Sequence, residues 1–133
     1  PIQFKISDDE GDVIIDELVE YEKEIEEKKD DNLYCIICGN TITSVLFRTT
    51  VQGVYEQTFT NPSGYIYRIG CFKKAPGCTQ AGRDTYEFTW FKGYSWRYAL
   101  CGKCHSHLGW VYRSSGGNGF YGLILARLTN QKN

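Results

Sequence analysis

The pattern of hydrophobic and polar positions changes once along the chain, near residue 35. Before that point Ile14, Leu18, Tyr21 and Ile25 recur at helical spacing inside the charge-rich stretch 8–31. The spacing predicts a helix from about Asp12 to Lys28, with Lys28 and Lys29 favourable at its C-terminal end. Its apolar stripe is thin, so such a helix would form only against a folded domain. Residues 2–6 alternate and predict a short strand or extended arm. From Cys35 onward the apolar runs are short, β-branched and aromatic. Residues 44–49, 53–60 and 65–72 read as strands, as do 86–91, 95–100, 108–113 and 120–128. Asn61-Pro62-Ser63-Gly64 reads as a turn, 73–85 as a polar loop, Lys92-Gly93-Tyr94 as a hairpin-like break, and 114–119 as a flexible one. The expected class is mainly antiparallel β.

Charge follows the same division. Residues 1–34 hold 13 acidic and 4 basic side chains, whereas 35–133 hold 3 acidic and 11 basic ones, giving −9 and +8. The chain therefore divides into an acidic leader, 1–34, and a folded domain, 35–133. The leader reads as a solvated linker or as an electrostatic screen for the basic domain. The basic residues are scattered instead of clustered, which argues against nucleic acid as a partner. No apolar run approaches the length of a membrane span. A hydrophobic content of 41% and an aromatic content of 15% predict a globular domain rather than disorder. Pro1-Ile-Gln-Phe-Lys is no signal peptide, and with Met absent a processed or trimmed product is expected. A monomer is expected.

The six cysteines carry the clearest chemistry. Cys35 and Cys38 form one C-x-x-C pair, Cys101 and Cys104 another. Two-residue spacing lets a tight turn aim both sulfurs at one tetrahedral ion, so the two pairs predict one structural four-thiolate zinc site. The long interval between the pairs makes the ion a clasp joining distant parts of a β domain. With four thiolates as ligands the domain's charge falls to about +6. Cys71 and Cys78 either bridge, which would indicate an oxidising compartment, or remain free thiols. His105 and His107 read as polar or core residues, because four cysteines already complete a ligand set.

All three tryptophans, Trp90, Trp96 and Trp110, lie within 21 residues around the second C-x-x-C pair. Indoles fill cores often, but here two sit across a tight turn and the third follows a glycine. At this point the chain resembles the CULT family, the thalidomide-binding domain found in cereblon. The resemblance rests on Cys35-x-x-Cys38, Asn61-Pro-Ser-Gly-Tyr65, Trp90-Phe-Lys-Gly-Tyr-Ser-Trp96, Cys101-x-x-Cys104 and Ser106-His-Leu-Gly-Trp110. It runs in order along residues 35–128.

The resemblance implies a β-tent of two antiparallel sheets pinned by the four-cysteine zinc site. It implies a pocket walled by Trp90, Trp96 and Trp110, with Tyr112 at its base and Asn61 at its edge. The backbone N–H and C=O of Phe88 and the N–H of Trp90 would pair with a cyclic imide. The implied function is non-enzymatic binding of a glutarimide, a cyclised Asn or Gln peptide end, or a uridine-like ring. Three departures stand out: Phe88 and Ser63 where His is common, and Tyr112 where Phe is common. The Lon-like and adaptor-binding regions of full cereblon are not matched, so the chain is expected to resemble the single-domain members. A secreted location is expected from them, with the cytoplasm as alternative. The ubiquitin-ligase receptor role does not follow for this chain.

Two other function classes compete. A methionine sulfoxide reductase B-like enzyme would need a catalytic cysteine late in the chain, and none follows Cys104. An aromatic cage for a methylated ammonium commonly adds a carboxylate. Residues 35–133 offer only Glu56, Asp84 and Glu87, and only Glu87 is near the tryptophans in sequence.

Overall fold

The change of pattern near residue 35 coincides, within a few residues, with the start of the sheets. The computed structural model describes residues 30–132. The helix expected at 12–28 and the arm at 2–6 lie outside them. One compact unit spans Asp31–Asn133. Its first strand, β1 (Asn32–Cys35), includes residues that the charge pattern assigns to the leader.

Strands β1 and β2 (Thr41–Ser44) form an antiparallel hairpin across the first C-x-x-C turn. With β9 (Leu128–Thr129) they make a three-stranded sheet of order β2-β1-β9. Six further strands, β3 (Glu56–Thr60), β4 (Ile66–Phe72), β5 (Cys78–Thr85), β6 (Tyr94–Cys101), β7 (His107–Ser114) and β8 (Gly119–Ile124), form a second sheet. Its order is β3-β4-β8-β7-β6-β5, antiparallel throughout.

Side-chain alternation sorts two cores onto the two faces of the large sheet. Phe72, Val111 and Leu123 join Leu33, Ile42 and Leu128 of the small sheet in one core. Ile69, Cys71, Trp110, Tyr112, Phe120 and Ile124 point the other way and pack with Val51 and Phe91 in the second. The sheets meet at Gly77, whose N–H donates to the Ile42 carbonyl and whose carbonyl accepts from Gly102. Among the described residues no helix is long and apolar enough to cross a membrane.

Strands at 65–72, 95–100 and 108–113 appear within a residue or two of their expected bounds. The Asn61–Gly64 turn forms too, with the Gly64 N–H donating to the Asn61 carbonyl. Four expectations change. Residues 45–47 form a 3-10 turn instead of strand, because the Ser44 hydroxyl accepts from the Leu46 N–H and caps it. The polar stretch 78–85 is a strand, β5, at the sheet's outer edge and mostly exposed, so it carries no apolar alternation. Gly82, at φ 87°, lies where the register of β5 against β6 shifts. The aromatic stretch 86–91 is a looped segment whose Phe88 sits at φ 57°. The run 120–128 is broken by a 3-10 turn at Leu125–Arg127, where the chain crosses from the large sheet to the small one.

Cys71 and Cys78 do not bridge; both are free thiols. Cys71 is on β4 and Cys78 on β5, with β8, β7 and β6 between them. Four inter-strand steps of about 4.8 Å separate such strands along the sheet, well beyond the reach of a disulfide. Burial pushes the two thiols up, to about 11 and about 12.

A prediction follows from the sheet junction. A Cβ at Gly77 would lie 2.6 Å from the Ile42 Cα, against backbone that cannot swing aside. Gly77→Ala should therefore lower stability by about 1–3 kcal/mol or more, read as a shifted midpoint in chemical denaturation. An unchanged midpoint would show that the junction is slack.

Candidate functional site

The two C-x-x-C turns have matching local geometry. The Gly39 N–H donates to the Cys35 carbonyl at 2.8 Å, and the His105 N–H donates to the Cys101 carbonyl at 2.9 Å. Gly39 and His105 close their turns at φ 78° and 63°, in the left-handed region. Glycine enters that region freely, whereas histidine does so at a cost. His105 is exposed and points to no cluster, so its role is in the turn.

Cys35, Cys38, Cys101 and Cys104 bring their four sulfurs within 4.8 Å of one another. Cys35 and Cys104 are 3.7 Å apart, Cys38 and Cys101 3.6 Å. A tetrahedral ion with metal–sulfur bonds of about 2.3 Å has sulfur–sulfur edges of about 3.8 Å. The observed spacing fits that tetrahedron and is far too long for sulfur–sulfur bonds. Surrounding groups suit thiolates. The Lys103 and Cys104 N–H groups and the Asn40 amide point at the Cys101 sulfur at 3.4, 3.5 and 3.6 Å. The Ser106 hydroxyl lies 3.1 Å from the Cys104 sulfur and 3.5 Å from that of Cys35. Ser106, through its side chain and its N–H, draws the Cys104 thiol down to about 6. Cys38, by contrast, stays up at about 11. The Asn40 N–H pulls it down, but burial and the neighbouring sulfurs outweigh that pull. Four thiolates this close need a cation to stay ionised together.

The second site is a cleft of about 340 Å³ lined by the three tryptophans and by seven further residues, among them Asn61, Phe88 and Tyr112. The β6–β7 pairing builds most of it. Trp96 lies opposite Tyr112, and Tyr98 opposite Trp110. Ring contacts run round the wall: Trp96 on Tyr98 at 5.2 Å, Tyr98 on His107 at 5.4 Å, His107 on Trp110 at 4.9 Å, and Trp110 on Trp90 at 4.9 Å. Phe59 of β3 stacks on Trp90 at 4.9 Å with nearly parallel rings and backs that wall. The Trp96 indole N–H donates to the Glu87 carbonyl at 2.7 Å and ties the 86–91 loop to β6. Asn61 is held by its side-chain oxygen, which accepts from the Tyr65 N–H at 2.9 Å.

Tyr112 lies at the floor, 2% exposed. Its ring forms a three-ring cluster with Phe120, which stacks on it, and Phe91, which meets it edge-on. Burial pushes its phenol well above the ordinary range. Phe88 lies at the rim, 70% exposed, with its backbone at φ 57°. Among the described residues, neither its N–H and C=O nor the Trp90 N–H has a hydrogen-bond partner. A non-glycine residue held in this region marks stored strain of about 1–2 kcal/mol, of the kind that collects at binding sites.

His107, Tyr67, Tyr98 and Pro62 also line the cleft and were not singled out by their sequence setting. The His107 Nε2 faces the Gly109 carbonyl at 2.9 Å, so this nitrogen carries the proton. Its Nδ1 faces Arg127 at 3.4 Å, and the same guanidinium donates to the His107 carbonyl at 2.7 Å. Burial holds the imidazole below its ordinary value; the Gly109 carbonyl opposes this and the Arg127 charge adds to it. His107 is therefore a neutral wall. The pattern that could have flagged it is its place on β7, two residues before Gly109 and three before Trp110. No side chain lining the cleft carries a carboxylate, and Arg127 stands behind Tyr67, its guanidinium 5.7 Å from that ring.

No protein-family profile matches the chain. Curated relatives do. The chain is 32% identical over 104 residues to "Protein cereblon" of Drosophila persimilis, covering 72% of this chain and 17% of the relative. It is 33% identical over 91 residues to the same-named protein of Drosophila willistoni, and 32% identical over 91 residues to that of Drosophila melanogaster. Each of those two alignments covers 65% of this chain and 15% of the relative. The chain thus matches only a small part of these relatives' length.

The clustered sulfurs generate a prediction. The folded protein should hold one tetrahedral metal ion per chain, and Cys101→Ser should lose it together with most of the fold. His105→Gly should keep the ion, since a left-handed glycine is unstrained. Metal analysis alongside circular dichroism checks both. Metal lost in the His105 variant would make that residue a ligand.

Proposed function

This chain carries a cereblon-like domain, and from that premise we propose that it is a non-enzymatic module binding small cyclic imides in the tryptophan cleft. The ligand class is the glutarimide of thalidomide, a cyclised Asn or Gln peptide end, or a uridine-like ring. The observation carrying the reading is the meeting of Trp90, Trp96 and Trp110 in one cleft beside unpaired backbone groups at Phe88 and Trp90. Indole faces bury a flat ring's methylenes at little entropy cost. The acceptor–donor–acceptor edge of an imide matches the Phe88 N–H and C=O and the Trp90 N–H, which the loop holds ready. Phe88 supplies backbone only, so the loss of a histidine side chain there leaves this recognition intact. The metal in the cysteine cluster is zinc on this reading, with a structural role.

The cleft's chemistry disfavours the other classes. A methylated ammonium would find π faces but no lining carboxylate, and it would meet the Arg127 charge behind Tyr67. A sulfoxide reductase needs a nucleophilic thiolate, yet Cys71 and Cys78, the two cysteines outside the metal cluster, have their thiols pushed up by burial.

Binding of a glutarimide should quench or shift tryptophan fluorescence, because every tryptophan of the chain lines the cleft. Methylating the imide nitrogen should abolish it. The change removes the central donor, leaves an acceptor buried and unpaired at about 1–3 kcal/mol, and sets a methyl group against a carbonyl. Trp110→Ala should weaken binding strongly with metal content unchanged, while Phe88→Ala should matter little. An N-methyl compound that bound as well as its parent would rule the imide mechanism out.

A further inference from the structure

Resting on the imide reading above, we infer that the Tyr112 hydroxyl is a specificity-determining donor that selects rings bearing a hydrogen-bond acceptor on the edge opposite the imide. The phenol has no hydrogen-bond partner among the described residues. Yet every fully buried side-chain nitrogen or oxygen among those residues is paired. The hydroxyl is therefore not sealed in the core: in a residue 2% exposed that lines the cleft, the small accessible remainder includes this oxygen.

The surroundings fix the ring and leave the hydroxyl free. Phe120 stacks on the ring with its centroid 5.0 Å away, and Phe91 meets it edge-on at 4.7 Å. A Cβ at position 122 would sit 2.9 Å from the Tyr112 Cε2, so glycine there makes room for the ring. Burial keeps the phenol protonated, hence a donor, at any ordinary pH. No carboxylate, Lys or Arg side chain lines the cleft to compete for it.

The two ends of the cleft then read different edges of one ligand. The unpaired backbone groups at the rim take the imide, and a ring in that orientation sends its far edge toward the floor. A glutarimide presents methylenes there and leaves the phenol stranded. A ring with an oxygen in place of the far methylene satisfies it. Phenylalanine at this position would prefer the opposite ring.

The test is a two-by-two comparison of glutarimide with morpholine-3,5-dione, in which oxygen replaces the methylene opposite the imide nitrogen. Each ring is titrated by tryptophan fluorescence into the full chain and into Tyr112→Phe. The native protein should favour the oxygen ring, and Tyr112→Phe should shift that preference by about fivefold to tenfold toward glutarimide, the worth of one hydrogen bond. A merely structural role for Tyr112 would weaken both rings equally and leave their ratio unchanged, which would overturn the inference. Metal content and thermal midpoint of the variant show that it folds. If neither ring bound the native protein, the imide reading would fall and this inference with it. If both bound with the same ratio in the two proteins, the imide reading would stand and the inference alone would fall.

Discussion

Four sulfurs gathered at one point set the geometry on which the rest depends. Cys35 ends β1, Cys38 lies in the turn to β2, Cys101 ends β6, and Cys104 precedes β7. The second C-x-x-C turn is thus also the connection of the β6–β7 hairpin. Where that turn places β7 against β6 decides which residues face one another: Trp96 with Tyr112, and Tyr98 with Trp110. A slip of one residue would send every one of these rings to the opposite face. The metal turn and the bulge between Ala99 and Leu100 pin the register. The cleft is therefore built on the same hairpin that closes the sulfur cluster, so a change at the cluster would reach the cleft through the backbone.

The cleft is neutral in a domain with a clear positive charge. Eleven basic side chains lie in residues 35–133, yet none lines it. Arg127 stands against Tyr67 of the wall, and it is occupied by the His107 carbonyl and imidazole. In this arrangement the wall is made of faces and the polar groups sit at the two ends. Such a site gains affinity from buried ring area and orientation from a few fixed donors and acceptors.

Much of this was legible in the chain, and the parts that were not have definite causes. Cysteine spacing is a local signal that survives folding unchanged, so the gathering of these four sulfurs could be read directly. The strands β4, β6 and β7 were legible because one or both faces are buried and their composition shows it. β5 was not, since an exposed edge strand of Thr, Gln, Arg and Asp has no apolar period to read. The segment 86–91 misled for the converse reason. Its aromatic residues line a cleft or lie exposed at its rim, and they mimic the composition of a strand. Cys71 and Cys78 are close in sequence, but the sheet order separates them by three strands, and sheet order is a long-range property. His107, Tyr67 and Tyr98 join the wall through that same order, from three different strands.

Phe88 and Tyr112 occupy opposite ends of the cleft and differ in what the chain has done with them. At the rim an exposed side chain sits beside backbone groups that are left unpaired, at the cost of a left-handed residue. At the floor the backbone is consumed by the β7 ladder and the side chain is left with the free polar atom. Exchanging the side chain at 88 therefore alters what lies above the cleft, whereas exchanging it at 112 alters what the cleft can hold. Between these ends the tryptophans read shape alone. Discrimination among flat rings of one size must then come from the two edges, and of the two only the floor is set by a side chain that a single substitution can change without moving the backbone.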